Sequence, residues 1–129
     1  MTRTAGPDSR LCPFSIRIEK ETGVALLVVE GEVDLATVPA LRTQLDDCAT
    51  ADPVVLDLCD VVFMDSTGLQ ELLRAGARLD GRLHVACIPD GGVRRLMQVA
   101  GVLSALNLHA SRADALTAAR RSSGQPDAR

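Results

Sequence analysis

A chain of 129 residues has room for one domain of ordinary size, and 47% hydrophobic with 24% charged residues suits a packed core rather than disorder. With no Trp or Tyr, only two Phe and a net charge of −3, it lacks the aromatic rings that stack on bases, and no basic stripe stands out. No apolar run approaches the roughly 20 residues that cross a bilayer, so neither a nucleic-acid partner nor a membrane partner is expected.

The start, MTRTAGPDSRLCPF, is polar and has no apolar stretch of signal-peptide length, which points to the cytoplasm. Cys12, Cys48, Cys59 and Cys87 form no CxxC pair, so neither a zinc site nor a thioredoxin-like site is indicated, and no metal or cofactor is expected. Most of them read as small buried hydrophobes in a reducing compartment. Residues 1–13 and 122–129 read as flexible ends around a domain spanning 14–121.

Two strands come first. FSIRIEKE (14–21) alternates Phe14, Ile16 and Ile18 with polar neighbours, as a half-exposed strand does, whereas VALLVVEGEV (24–33) is nearly continuous in Val and Leu, as a strand covered on both faces is. Thr22-Gly23 between them predicts an antiparallel hairpin. Val38, Leu41, Leu45 and Cys48 then recur at helical spacing, with Thr37 as the cap and Pro39 in the first turn.

After Asp52-Pro53, VVLDL (54–58) predicts a short buried strand, and a second helix carries Leu69, Leu72, Leu73 and Gly76 on one face. RLHVACI (82–88) is a further strand. Asp90-Gly91-Gly92 opens a helix with Val93, Leu96, Met97 and Ala100, ended by Gly101 in a left-handed conformation. Leu106-Asn107-Leu108 is a short last strand, and Ser111 caps a helix running to about Arg121. Strands alternating with helices predict an α/β domain: a mixed sheet with an N-terminal antiparallel hairpin, parallel strands and about four helices.

FMDSTGLQELL (63–73) places Asp65, Ser66, Thr67 and Gly68 where a strand gives way to a helix. Thr67 and Gln70 have capping-box spacing, which would commit the Thr67 hydroxyl to the backbone and leave Ser66 the freer one. A phosphate on Ser66 would gain roughly 1 kcal/mol from the helix N-terminus, while Asp65 would repel it. Gly68 is expected to leave room for a partner to approach the backbone. Capping alone also accounts for Ser and Thr at this place.

Three stretches carry a family resemblance. MDSTGLQELL resembles the signature of anti-sigma factor antagonists of the STAS family (sulfate transporter and anti-sigma factor antagonist). GEVDLATVPALRTQL (31–45) resembles the family's turn into its first helix, and VRRLMQVAGVLSALNLHASRADAL (93–116) resembles its C-terminal part. The similarity runs from about residue 14 to 120.

It implies a non-enzymatic regulator that, unmodified, binds an anti-sigma factor which is itself a serine kinase of the GHKL class, so releasing a sigma factor. Phosphorylation of the antagonist by that kinase ends the complex, and a metal-dependent serine phosphatase restores it. By position the acceptor is Ser66, with Thr67 second, and the docking face comprises Asp34, Asp65, Ser66, Thr67, Gly68 and Gln70. Asp34 also reads simply as a turn residue. Gln70 departs from the small residue common in relatives, and Cys59 stands in a segment usually polar, so it is expected to be partly exposed. Cys12, at the polar start, is also expected to be reachable.

Other readings fit less well. A serine hydrolase would want G-x-S-x-G, which MDSTG lacks, and neither His84 nor His109 has a triad context; His84 falls mid-strand as a packing or edge residue. An aspartic protease needs a second carboxylate loop. A receiver domain would use Asp57 as acceptor and a late Lys, but Lys20 is the only lysine among 14 basic residues. Gly91-Gly92 is a weak nucleotide signal without GxxxxGK[ST]. A STAS scaffold or regulatory subunit without a phosphoswitch is the alternative within the family. The preference for Arg over Lys suggests a GC-rich bacterial genome.

Overall fold

The structure, a computed structural model, describes residues 13–21, 23–48 and 52–122. The expected flexible ends, apart from Pro13 and Ser122, lie outside the described residues, as do Cys12 and Thr22. Strands β1 (Ser15–Glu21) and β2 (Val24–Val33) form the antiparallel hairpin, pairing from Ser15 with Glu30 to Glu21 with Val24. Helix α1 (Val38–Asp47), strand β3 (Val54–Met64), helix α2 (Ser66–Leu79) and strand β4 (Leu83–Ala86) follow. Helix α3 (Gly92–Ala100), a 3-10 turn (Leu103–Ala105), strand β5 (Asn107–His109) and helix α4 (Arg112–Ser122) complete the order.

The strands lie in the sheet in chain order, β1-β2-β3-β4-β5, with every pair after the hairpin parallel. Alternation of side chains across a strand divides the core in two. Ala25, Leu27, Val29, Leu56, Leu58 and Val85 meet α1, α2 and α3 on one face, where Leu41, Leu45, Leu72, Leu79 and Met97 are fully buried. Val24, Leu26, Val28, Val55 and Ala86 meet α4 on the other, through Ala115 and Ala119. β2 is thus covered on both sides, as its continuous apolar run predicts. Phe14, just before β1, and Ile16 on it pack on the core, while Ile18 remains 44% exposed.

Several expectations shift. β3 continues six residues beyond Leu58, to Met64, because β2 keeps pairing with it, Val33 opposite Met64, after β4 stops at Ala86 opposite Asp57. Register shifts between Val28 and Glu30 and between Gly31 and Glu32 break the simple alternation that would have marked this extension as strand. The last strand sits one residue later than expected, and β4 is shorter. On α2 the buried stripe is Leu69, Leu72, Ala75 and Leu79, with Leu73 and Gly76 at its margin. On α3, Val93 and Met97 are buried and Ala100 is exposed. Gly101 does end α3 in the left-handed region, at φ 74°. No helix among the described residues is long and apolar enough to cross a membrane.

Candidate phosphoacceptor site at the start of helix α2

The last residues of β2 and β3 deliver two loops to the same end of the sheet. The Asp65 N–H donates to the Val33 carbonyl at 3.1 Å, so the residue that opens α2 is tied to the end of β2. Asp65 has extended backbone angles, and its Oδ1 accepts from the Thr67 N–H at 2.9 Å and the Gly68 N–H at 3.2 Å. It therefore serves as the N-cap, which corrects the expected capping box of Thr67 and Gln70: the hydroxyl of Thr67 donates to Asp65, and Gln70 is exposed. The carboxyl of Asp65 is held below its ordinary value first by the Thr67 hydroxyl, against the cost of burial, and then by the N–H groups of Gly68, Thr67 and Leu35.

One residue on, Ser66 is exposed as the first residue of α2, and its hydroxyl makes no hydrogen bond among the described residues. Thr67 is half-buried and engaged. The two neighbouring hydroxyls thus differ in availability, though the partner of Thr67 is the side chain of Asp65 rather than the backbone.

Gly68 is buried, and its lack of a side chain does not open space for a partner. A Cβ there would lie 2.7 Å from Met64 Cγ, 2.8 Å from Val33 Cγ1 and 3.2 Å from the Val33 carbonyl oxygen. The residue lets α2 begin flush against β2 and β3, which sets where Ser66 emerges.

Asp34 builds the adjacent turn. Its Oδ1 accepts from the N–H groups of Ala36 and Thr37 at 3.0 and 3.2 Å. Thr37 sits at the N-cap position of α1 but makes no side-chain cap bond. Its hydroxyl donates to the Glu32 carbonyl and accepts from the Asp34 N–H, both at 2.9 Å. With the Leu35 N–H facing the Asp65 carboxylate, the Asp34 turn and the Ser66 turn form one surface.

That surface has apolar ground nearby that sequence reading missed. Leu35 is 73% exposed, and Val62 and Phe63 are also exposed. A groove of about 340 Å³ between the end of β3 and α3 is lined by Val62, Phe63, Met64, Arg95, Leu96 and Val99. The extension of β3 beyond its pairing with β4 is what exposes this stretch. Also missed was Glu71, whose fully buried carboxylate accepts from Arg42 Nε at 3.0 Å and from Arg74 Nη2 at 2.6 Å. Arg74 and Arg78 both reach Asp46, at 3.0 and 2.7 Å, so the network joins α1 to α2 behind Ser66. Helical spacing placed Glu71 beside the apolar stripe, but its partners come from α1.

Asp57, the acceptor a receiver domain would need, is buried under α4, where its Oδ2 accepts from Arg112 Nε at 2.7 Å. Cys59 is half-buried, and its thiol is pushed up to about 12, first by burial and then by a hydrogen bond to Asp57. Cys48 and Cys87 are buried. His84 and His109 lie under α4, on the opposite side of the sheet from α2.

The model of the STAS domain matches residues 15–115. The chain is 29% identical over 119 residues to the anti-sigma-F factor antagonist RsfB of Mycobacterium tuberculosis, covering 90% of this chain and 94% of that protein. It is 28% identical over 109 residues to an anti-sigma F factor antagonist of Paenibacillus polymyxa, covering 81% of this chain and 93% of that protein. The crystal structure of an anti-sigma factor antagonist from Mycobacterium paratuberculosis superposes with a TM-score of 0.77 at 30% identity, over 91% of this chain and 99% of that one. With a match across the whole sheet and its first three helices, the chain belongs to the STAS domain family.

Proposed function

We propose that this protein is an anti-sigma factor antagonist whose binding is switched at Ser66. With a free hydroxyl, it docks on an anti-sigma factor that is a serine kinase of the GHKL class and so frees a sigma factor; phosphorylation of Ser66 by that kinase releases it, and a serine phosphatase resets it. The relatives named above support the antagonist reading. The observation that carries the switch is the contrast between the two hydroxyls: Ser66 is exposed and makes no hydrogen bond among the described residues, whereas Thr67 donates to Asp65.

The electrostatics favour release. A phosphoserine adds about −1.5 to −2 charges at neutral pH, beside Asp65, whose carboxyl is held low and hence ionised, and next to the Asp34 turn. The new dianion would be repelled by Asp65 and would change a surface that had met its partner through a hydroxyl. A penalty of about 3 kcal/mol is enough to weaken binding more than a hundredfold. Asp34, Asp65 and Ser66 form the polar part of the docking face, with Gln70 exposed one turn along α2; Thr67 and Gly68 hold that face in shape.

Incubation with candidate GHKL kinases and ATP, followed by mass spectrometry, tests the assignment. Labelling at Ser66 that is lost in Ser66→Ala, with binding retained, is expected. Full labelling of Ser66→Ala at Thr67 would move the acceptor. A protein that binds its partner yet is labelled by no kinase would instead act as a scaffold without a phosphoswitch.

A further inference from the structure

β1 ends the sheet on one side, and among the described residues no strand pairs along its outer edge. It pairs with β2 without interruption from Ser15 to Glu21, with no bulge and no proline. The backbone groups that point away from β2 therefore form a regular row open to a further strand. The opposite edge, β5, is only three residues long and offers far less. The side chains of β1 divide between two faces. Ile16 and Ile18 stand opposite Val29 and Leu27, on the face that α1 and α2 cover, and Ile18 is partly exposed there. Arg17 and Glu19 stand opposite Val28 and Leu26, on the face of α4. Their side chains are 54% and 37% exposed, and Arg17 Nε donates to Glu19 Oε2 at 2.8 Å.

We propose that β1 is the site of a symmetric dimer, in which the β1 strands of two copies pair antiparallel about Ile18 and join two five-stranded sheets into one. A two-fold axis normal to the sheet keeps each face continuous, so only residues of the same face can stand opposite each other. The axis then passes through one residue, which meets its own counterpart. Through Arg17 it would set two guanidinium groups against each other, and through Glu19 two carboxylates. Through Ile18 it sets Ile18 against Ile18 and each Arg17 opposite Glu19 of the second copy. Like charges directly opposite are destabilising and opposite charges favourable, so charge selects the register about Ile18. Axes nearer either end leave little of the strand paired, whereas this register pairs all seven residues.

The rest of the strand agrees with that register. Ile18 meets its counterpart on the α1 face, where each is exposed in the single copy. Ile16 comes opposite the exposed Lys20, whose aliphatic stem can lie over it. The bond within β1 uses one guanidinium nitrogen and one carboxylate oxygen, so Arg17 and Glu19 each keep polar atoms for the second copy. Arg112 of α4 also acts on Glu19 from the same chain, which favours the ionised carboxylate that the pairing needs.

Main-chain hydrogen bonds supply the attraction in such a contact, and the side chains supply its register. An interface one strand wide is small, so the dimer is a reversible one. Because β1 is antiparallel to β2, and β2 parallel to β3, the Ser66 turns of the two copies lie at opposite ends of the joined sheet. Both stay open, and the inference does not rest on the reading at Ser66.

Sedimentation velocity from about 10 μM to about 1 mM reads the association. The native chain should pass from monomer to dimer as concentration rises. Arg17→Glu and Glu19→Arg should each weaken the dimer about tenfold, since either one turns two attractive cross-strand pairs into two repulsive ones. An equimolar mixture of the two variants should associate at least as strongly as the native chain, because opposite charges then meet at both positions. The chain carrying both substitutions, whose net charge is unchanged, should dimerise like the native one. These recoveries also show that the variants fold. A native chain that stays monomeric throughout would leave the edge to a strand of another protein and overturn the dimer. A dimer that neither substitution weakens lies on another surface, and a mixture no stronger than its components rules out pairing about Ile18; either result would overturn the inference.

Discussion

Replacing Gly68 with alanine sets two effects of opposite sign against each other. In an unhindered helix the change stabilises by about 0.8–1 kcal/mol, because glycine is the poorer helix former. Here the added methyl carbon would sit 2.7 Å from Met64 Cγ, 2.8 Å from Val33 Cγ1 and 3.2 Å from the Val33 carbonyl oxygen. None of these is the free end of a flexible side chain, and the carbonyl accepts the Asp65 N–H that ties α2 to β2. Relieving the overlap means moving the start of the helix, and overpacking of this kind typically costs about 1–3 kcal/mol. The net expectation is a loss of about 1–2 kcal/mol, read as a lower urea midpoint at unchanged slope. The same shift would displace Ser66, so partner binding should weaken as well. A Gly68→Ala protein that gains about 1 kcal/mol and binds its partner normally would refute the claim that this glycine positions the site.

Glu71→Gln should lower stability by about 2–3 kcal/mol, since it leaves Arg42 and Arg74 without their buried carboxylate, and urea unfolding of the variant checks this. Asp65→Ala should cost about 1 kcal/mol as a lost cap. Asp65 titrates below its ordinary value of 3.8 in the folded chain, so its contribution is present above that value and is lost as pH falls through the lower folded one. Asp65→Asn, which keeps an acceptor oxygen, should flatten the acid limb of a stability–pH profile. Cys59 should alkylate far more slowly at mildly alkaline pH than a free thiol in a short peptide, because its own is pushed up to about 12; timed iodoacetamide labelling with mass spectrometry measures it.

Periodicity carried most of the architecture. β2 was legible as doubly covered because Val24, Ala25, Leu26, Leu27, Val28 and Val29 are all buried. The end of α3 was legible because Gly101 adopts the left-handed conformation its position predicts. What escaped was set by neighbours distant in sequence. The strand character of residues 59–64 comes from pairing with a β2 that itself changes register, so no two-residue alternation marks it. Glu71 looks like a surface residue until α1 brings Arg42 to it, and His84 looks like an edge residue until β5 brings His109.

At the candidate site the motif located the turn but not its internal division of labour. DSTG indicates a helix start; which residue caps depends on backbone angles, and those give the role to Asp65 rather than to Thr67 with Gln70. The same holds for Gly68, where only the approach of Val33 and Met64 separates an inward-facing glycine from an open one. The exposure of Leu35 beside Asp34 likewise follows from how the turn is bonded, not from its composition.

The central claim is that a charge on the Ser66 oxygen turns binding off. Phosphorylating the protein stoichiometrically with its kinase, removing that kinase, and titrating both forms against a catalytically inactive copy of the anti-sigma factor by calorimetry measures it directly. Affinity reduced more than about a hundredfold on phosphorylation, and recovered after phosphatase treatment, is the predicted result. Equal affinity for the two forms would contradict it.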